Sequence, residues 1–391
     1  MRICQFSDSY LPVVDGVGRV MVSYVRELSA LGHQVTAVGV GPGGALGEVP
    51  GYRYVPIRGV RLPPACGAYR VGLPRADLVY RHEIRGQPID IAHAHSPFGA
   101  GRAALRTARR LDIPLVGTFH SKFRDDFLKI TRSRRMADYA VRRVVSFYET
   151  CDEVWAVGDS TANVLRDYGY RGDVIVMPNG VERRALDAGA LREVQARWPL
   201  GDAPLLLFVG QMNFKKNLRL LLSACALLRA RGAAFYLALA GQGPDERGVA
   251  GLVRSLGLHD RAILTGHLYD HRLLDALYAR ASLLVFPSLY DNAPMVVREA
   301  AAMGTPSVLV KGSCAADGVR DGVNGYLCAD DANDLCRAID CALRDPGRSD
   351  VGLRAQREIA VPWRDIMVEV EARYQNLIDR RAARPARLSR G

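Results

Sequence analysis

A chain of 391 residues, 49% hydrophobic and 24% charged, is long enough for two globular domains, which excludes wholesale disorder, collagen-like structure and a small disulfide scaffold. Its 53 Lys and Arg outnumber 41 Asp and Glu, and the formal net charge of +12 points to an anionic partner: nucleic acid, an acidic membrane surface or a phosphate-bearing ligand. The eight cysteines are scattered without a CxxC pair, so neither a zinc site nor a disulfide framework is indicated, and no stretch approaches the ~20 apolar residues of a membrane span.

Residues 1–10 turn polar too early for a secretory signal, so the expected setting is cytoplasmic, with peripheral contact at the cytoplasmic membrane face as its extension. Residues 2–6 read as a buried strand. A Gly-punctuated loop (Asp15, Gly16, Gly18) follows, then a helix carrying Val17, Val20, Met21, Tyr24, Val25, Leu28 and Leu31 at helical spacing, with a stop at Gly32. Strands at 34–40, 89–93 and 114–119 alternate with a helix after Gly101. Residues 183–199 are polar and helical. The rhythm then restarts with strands at 204–209, 235–240, 262–265 and 283–286 and helices at 217–230, before Gly257 and before Ala279; a helix over 294–303, a strand at 306–310, and helices at 331–343 and 363–378 close the pattern.

Such βαβ alternation predicts parallel sheets with helices on both faces: two doubly wound, Rossmann-like halves. The expected domains are 1–180 and 181–361, a C-terminal helix over 362–380 crossing back to the first half, and a basic tail at 381–391. Ligands of such sheets lie beyond the carboxyl ends of the strands, so two halves facing a central cleft would hold a ligand between them.

The most informative segment is PSLYDNAPMVVREAAAMGTPSVLV at 287–310. Asp291 follows a strand, Asn292-Ala293-Pro294 suits a turn into a helix, and Glu299 lies eight positions after Asp291. A helix N-terminus opening at Met295 has unpaired N–H groups and the positive end of the macrodipole, both suited to diphosphate oxygens. The bland alternative is an ordinary strand–turn–helix with Asp291 as a cap.

On these residues the chain resembles the retaining family 4 glycosyltransferases of the GT-B architecture, whose signature is E-x7-E. Asp15-Gly16-Val17-Gly18 resembles their first glycine loop, Thr118-Phe119-His120 their histidine motif, and Met177-Pro178-Asn179-Gly180-Val181 their hinge-proximal turn. Phe208-Val209-Gly210 through Lys216-Asn217 resembles their donor phosphate motif, and Gly241-Gln242-Gly243-Pro244 their G-x-G-P turn. The resemblance implies an acceptor-binding first domain and a nucleotide-sugar-binding second one. It assigns His120 and Asp291 to catalysis, and Gly16, Gly210, Gln211, Lys216, Asn292, Pro294, Met295, Val296 and Glu299 to the donor, with Glu299 on the ribose. It further implies retaining, metal-independent hexose transfer, by front-face attack or through a covalent intermediate, with UDP-glucose or a close relative as donor and no other cofactor.

Three positions depart from the pattern. Asp291 replaces the usual first Glu and shortens its reach by roughly 1.5 Å. Gln211 stands in place of an Arg and leaves Lys216 as the main cation, and Asn217 replaces a common Gly. Similar variants occur among members that resemble glucosyl-diacylglycerol synthases. The strand-end pair His93 and His95 has metal-like spacing without Cys, Asp or Glu partners and reads as structural or acceptor-side.

The charge is localised. Residues 101–145 carry a net +8 and residues 379–391 a net +4, so the remainder is neutral. Within 121–148 aromatic and aliphatic residues alternate with basic ones, which suits an amphipathic surface; Lys122, Phe123, Arg124, Arg132, Arg134 and Arg135 are its candidate membrane or acceptor contacts. A lipid such as diacylglycerol is therefore the favoured acceptor and a soluble sugar or glycan the alternative. A UDP-sugar epimerase is the rival enzyme. A nucleic-acid-binding protein is disfavoured by the absence of helix-turn-helix, zinc-finger or RNP patterns.

Overall fold

The computed structural model describes residues 1–11, 15–44, 46, 48–61, 70–198 and 201–383. Cys66 and the tail from residue 384 lie outside the described residues. The chain forms two compact units, unit 1 of Met1–Asn179 with Trp363–Gly391 and unit 2 of Gly180–Pro362.

Unit 1 runs β1 (Arg2–Ser7), α1 (Gly16–Ala30), β2 (Gln34–Val40), β3 (Tyr52–Ile57), the antiparallel pair β4 (Gly59–Arg61) and β5 (Arg70–Gly72), α2 (Leu78–Arg85), β6 (Ile91–Ala94), α3 (Gly99–Leu111), β7 (Leu115–Phe119), α4 (Arg124–Thr131), α5 (Arg134–Tyr148), β8 (Glu153–Ala156), α6 (Asp159–Asp167) and β9 (Ile175–Val176). Seven of these strands form one parallel sheet in the order β3-β2-β1-β6-β7-β8-β9. Winding reverses between β1 and β6, the kind of switch point where such sheets open a crevice for ligands. The Asp15 side chain caps α1 by accepting from Gly18 N at 2.7 Å, which sets Gly16 as the first helical residue.

Unit 2 contains α7 (Ala188–Arg197), β10 (Leu205–Val209), α8 (Leu218–Ala230), β11 (Tyr236–Ala240), α9 (Glu246–Ser255), β12 (Ala262–Gly266), α10 (His271–Arg280), β13 (Leu283–Phe286), α11 (Met295–Ala302), β14 (Ser307–Val310), β15 (Tyr326–Cys328), α12 (Ala332–Arg344) and α13 (Arg348–Glu358). Its six-stranded parallel sheet has the order β12-β11-β10-β13-β14-β15, so its switch point lies between β10 and β13. Leu205, Leu206, Leu207 and Phe208 are fully buried, the continuous apolar run expected of a central parallel strand covered on both faces.

The last helix, α14 (Trp363–Ala382), belongs to unit 1. Trp363, Ile366, Met367, Val370, Tyr374 and Leu377 form its buried stripe at helical spacing. Tyr374 stacks on Trp155 with ring centroids 5.7 Å apart, and Trp363 meets Tyr24 edge-on. Near the end of α14, Arg381 pairs with Asp112 and Asp152.

Candidate active site

In unit 2 the loops after β10 and β13 meet at the switch point. The first, Gly210 to Asn217, is shaped by backbone contacts with the loop after β11: Gly210 N donates to Ala240 O and Met212 N to Gln242 O. Gly241 has φ +135°, and a Cβ there would fall 1.9 Å from Gly210 O, so only glycine lets the loops close this tightly. A short 3-10 turn, Phe214–Lys216, ends at Asn217 with φ 60°. That left-handed backbone explains the family glycine, and Asn is among the side-chain-bearing residues that tolerate it best. Asn217 also donates to Asp330 Oδ1 at 2.7 Å.

The second loop delivers Asp291. Lys216 Nζ donates to Asp291 Oδ1, and Ser288 Oγ donates to Asp291 Oδ2 at 2.5 Å. The two groups are therefore ion-paired, with side chains only 15% and 20% exposed, rather than a free cation and a free carboxylate. Ala293 is buried with φ 41°, a left-handed residue held just before Pro294. Asn292 Oδ1 is buried without a hydrogen-bond partner, an orphaned acceptor beside the start of α11. Pro294 caps α11 without a side-chain bond; Val297 N donates to Pro294 O at 3.3 Å, and the N–H groups of Met295 and Val296 are left for other acceptors. One turn along α11, Glu299 is buried and accepts from Tyr278 Oη at 3.0 Å. Gln211 is exposed at the rim of the first loop. Beside Gly243 and Pro244 a groove of about 550 Å³ opens along the start of α9.

Unit 1 carries a different constellation. His93, His95, Thr118 and His120 come from the carboxyl ends of β6 and β7, and all four are buried. Gln5 Nε2 donates to Tyr374 Oη at 3.1 Å, which turns Gln5 Oε1 toward His95 Nε2 at 2.8 Å. An amide oxygen only accepts, so His95 carries its hydrogen on Nε2 and presents a bare Nδ1. His120 Nε2 donates to that nitrogen across 3.1 Å, which leaves the lone pair of neutral His120 on Nδ1. Tyr374 Oη also hydrogen-bonds His93 Nδ1 at 2.5 Å, and His93 Nε2 hydrogen-bonds Thr118 Oγ1 at 2.7 Å. Burial pushes the His120 imidazole down to about 3. His95 falls well below the usual histidine range through burial and the neighbouring His93 and His120, and His93 does so through burial and His120. The chain of rings is neutral at any physiological pH.

Among the described residues no group of three or more His, Cys, Asp or Glu is arranged to hold a metal ion, and no helix is long and apolar enough to cross a membrane. The proposed amphipathic surface needs one correction. Phe123 packs inward, edge-on to Phe98 and Phe119 and stacked with Phe127, because the chain turns at that residue into α4. Arg124 is held by Asp138 at 2.7 Å. The residues that stay exposed beside Arg132, Arg134 and Arg135 are Leu128, Ile130, Met136 and Tyr139, while Lys122 is half-buried.

The model of Glycosyltransferase Family 4 matches residues 14–184, and that of Glycosyl transferases group 1 matches residues 192–358. The chain belongs to the family 4 glycosyltransferases. Among curated relatives of this glycosyltransferase, a GDP-mannose-dependent alpha-mannosyltransferase of Corynebacterium glutamicum is 27% identical over 84% of this chain and 76% of its own. An alpha-monoglucosyldiacylglycerol synthase of Streptococcus pneumoniae is 24% identical over 79% and 70%. Among solved structures, sucrose-phosphate synthase of Thermosynechococcus elongatus superposes with a TM-score of 0.80 at 20% identity, covering 97% of this chain and 100% of that one. Anabaena HepE in complex with UDP and glucose gives 0.74 at 16%, covering 96% and 99%. These likenesses establish the GT-B fold, and the family establishes transfer of a sugar from a nucleotide donor.

Sequence reasoning did not find Tyr278, whose hydroxyl fixes Glu299, or the pair of Arg184 and buried Asp275, joined at 2.6 and 3.0 Å between the start of unit 2 and α10. Nor did it find Tyr374, the hydroxyl on α14 that joins Gln5 to His93. The partners lie far apart in the chain, and no local pattern marks them.

Proposed function

We propose that this glycosyltransferase moves glucose, with retention, from UDP-glucose to the hydroxyl of a membrane lipid such as diacylglycerol, without a metal ion. The observation that carries most weight is the Lys216–Asp291 pair at the switch point, set beside an uncapped helix start and the orphaned Asn292 Oδ1. Diphosphate oxygens would take the Lys216 ammonium and the first N–H groups of α11, releasing Asp291 toward the sugar. Glu299, oriented by Tyr278, would accept from the ribose hydroxyls. His120, with its lone pair on Nδ1, would accept from a substrate hydroxyl. In the front-face route the bond from the anomeric carbon to the diphosphate breaks with its electron pair going to the diphosphate. The acceptor oxygen forms the new bond on the same face, and its proton passes to the departing diphosphate oxygen.

A second reading, mannose from GDP-mannose, is favoured by the mannosyltransferase relative. A panel of sugar nucleotides, scored for thermal stabilisation and for hydrolysis with and without diacylglycerol vesicles, separates the two. UDP-glucose turnover raised by diacylglycerol supports the first; stabilisation and turnover with GDP-mannose alone supports the second; neither with any sugar nucleotide overturns both. Activity that survives EDTA supports the metal-free transfer, and activity abolished by EDTA and restored by magnesium or manganese overturns it.

A further inference from the structure

Unit 1 holds a groove of about 920 Å³ between α3, α5 and the segment leading into α2, a size ordinary for a small-molecule site. Arg75, Arg102, Arg106, Arg109 and Arg143 line it, and none of its lining residues is acidic. Three of the arginines stand at i, i+4 and i+7 on α3, so one helical stripe points its guanidinium groups into the groove. Its floor is apolar: Leu105 sits within that stripe, Phe98 and Phe127 close one end, and Val144 and Phe147 of α5 form the opposite wall. Leu73 and Tyr139 stand at the mouth, 47% and 60% exposed.

The arginines are not neutralised from within. Among the described residues no carboxylate forms an ion pair with any of the five. Asp8 attracts Arg102 but is occupied by Ser96 Oγ at 2.6 Å and Ala100 N at 3.0 Å. Arg106 is half-buried, and its affinity for its proton is lowered by burial and then by the repulsion of Arg75 and Arg102. Arg102 Nε donates to Phe98 O at 3.2 Å, as Arg110, one residue beyond the stripe, does to Ile84 O at 3.1 Å; these acceptors are neutral and leave the charge uncompensated. Like charges gathered without a counter-ion over an apolar floor complement a ligand that is anionic at one end and hydrocarbon at the other.

We infer that this groove binds an acidic phospholipid of a bilayer, its phosphate on Arg102, Arg106, Arg109 and Arg143 and its acyl chain along Leu105, Phe98 and Phe147. Free phosphate would use the same arginines but would leave the apolar floor exposed, which is why the lipid is the occupant. The inference deepens the lipid-directed reading above, and vesicle binding does not depend on turnover. Loss of sugar transfer with intact vesicle binding would strike that reading, while intact transfer without vesicle binding would strike this one.

The test is co-sedimentation of the full chain with phosphatidylcholine vesicles, with and without phosphatidylglycerol. The wild type should partition onto the acidic vesicles only. Replacing Arg102, Arg106, Arg109 and Arg143 by Gln should weaken that partition roughly a hundredfold. The charge-matched control with Arg192, Arg254, Arg354 and Arg357 of unit 2 changed to Gln should lose far less. Leu73→Ser with Tyr139→Ser should remove the part of the binding that survives high salt. Hydrolysis of the sugar nucleotide should be unchanged in every variant, which shows that each folds. Equal losses in the groove and control variants, or undiminished binding by the groove variant, would overturn the proposal. So would displacement from vesicles by glycerol 3-phosphate, which would make the groove a site for soluble phosphate.

Discussion

The two units share one construction and differ in what they bury. Both are parallel sheets with a switch point, and both bring loops together at the carboxyl ends of their strands. Unit 2 places ionic groups there: Lys216 with Asp291, buried Asp275 with Arg184, and Glu299 under Tyr278. Unit 1 places three imidazoles in a neutral chain, while the other histidines lie elsewhere, those of unit 2 all on its surface. Charge can be exchanged at the first site, because an incoming anion can replace a carboxylate as the partner of a lysine. At the second only hydrogen bonds are on offer, with their direction fixed by Gln5. The same fold thus offers one place suited to a departing diphosphate and another suited to orienting an uncharged hydroxyl.

The contrast is tested first by removing Asp291. Asp291→Ala should lower kcat by roughly 10^3-fold, the scale of a single electrostatic contact made in the transition state, while leaving nucleotide affinity intact or improved because Lys216 is freed. A kcat near wild type would break the contrast at its strongest point. Glu299→Ala should act on binding instead, raising the Kd for UDP by roughly 10–100-fold, as expected for a lost hydrogen bond to a charged group. If kcat falls more than affinity, the division of labour between the two carboxylates is wrong.

Acid should act on unit 1. An imidazole whose folded value lies below the ordinary 6.5 takes up its proton first in the unfolded chain. Its stabilising contribution is complete above that value and is lost as the pH falls toward the folded value, about 3 for His120. Each such histidine should therefore cost about 1.4 kcal/mol per pH unit below pH ~6.5. Urea titrations followed by tryptophan fluorescence, in which Trp155 and Trp363 report unit 1, should show this loss. His93→Gln with His95→Gln should flatten it, and a slope unchanged in that double variant would remove the buried imidazoles as its cause.

The smallest effect should come from α14. Tyr374→Phe keeps the ring stacked on Trp155 but removes the hydroxyl that orients Gln5, freeing the His120 tautomer. A fall in kcat of roughly 3–10-fold, the value of one neutral hydrogen bond, with little change in the thermal transition is the expected result. Loss of stability without loss of kcat would make Tyr374 purely structural.

Much of this organisation was legible in the chain. The βαβ order, the restart after residue 200 and the turn at 291–294 all follow from local pattern, because a buried parallel strand and a glycine-bounded helix announce themselves within ten residues. Short strands such as β8, β9 and β15 did not, since two to four residues carry too little periodicity. Lys216 and Asp291 were recognised singly, but their pairing spans 75 positions and depends on the order of strands in the sheet. The arginine stripe on α3 was visible as charge. Its apolar opposite wall comes from α5, some 40 residues later, so the groove exists only once the two helices lie side by side. Phe123 was misread for a related reason: a residue between two basic neighbours looks exposed until the turn into α4 points it at Phe98.

The central claim is that the loops joined by Lys216 and Asp291 hold the donor diphosphate. Calorimetric titration of UDP into the wild type and into Lys216→Ala tests it most directly. The wild type should bind with favourable enthalpy and the variant at least roughly tenfold more weakly, the difference shrinking as salt rises. Equal affinity in the two proteins would contradict the account, because the cation that unit 2 reserves for the diphosphate would then contribute nothing to holding it.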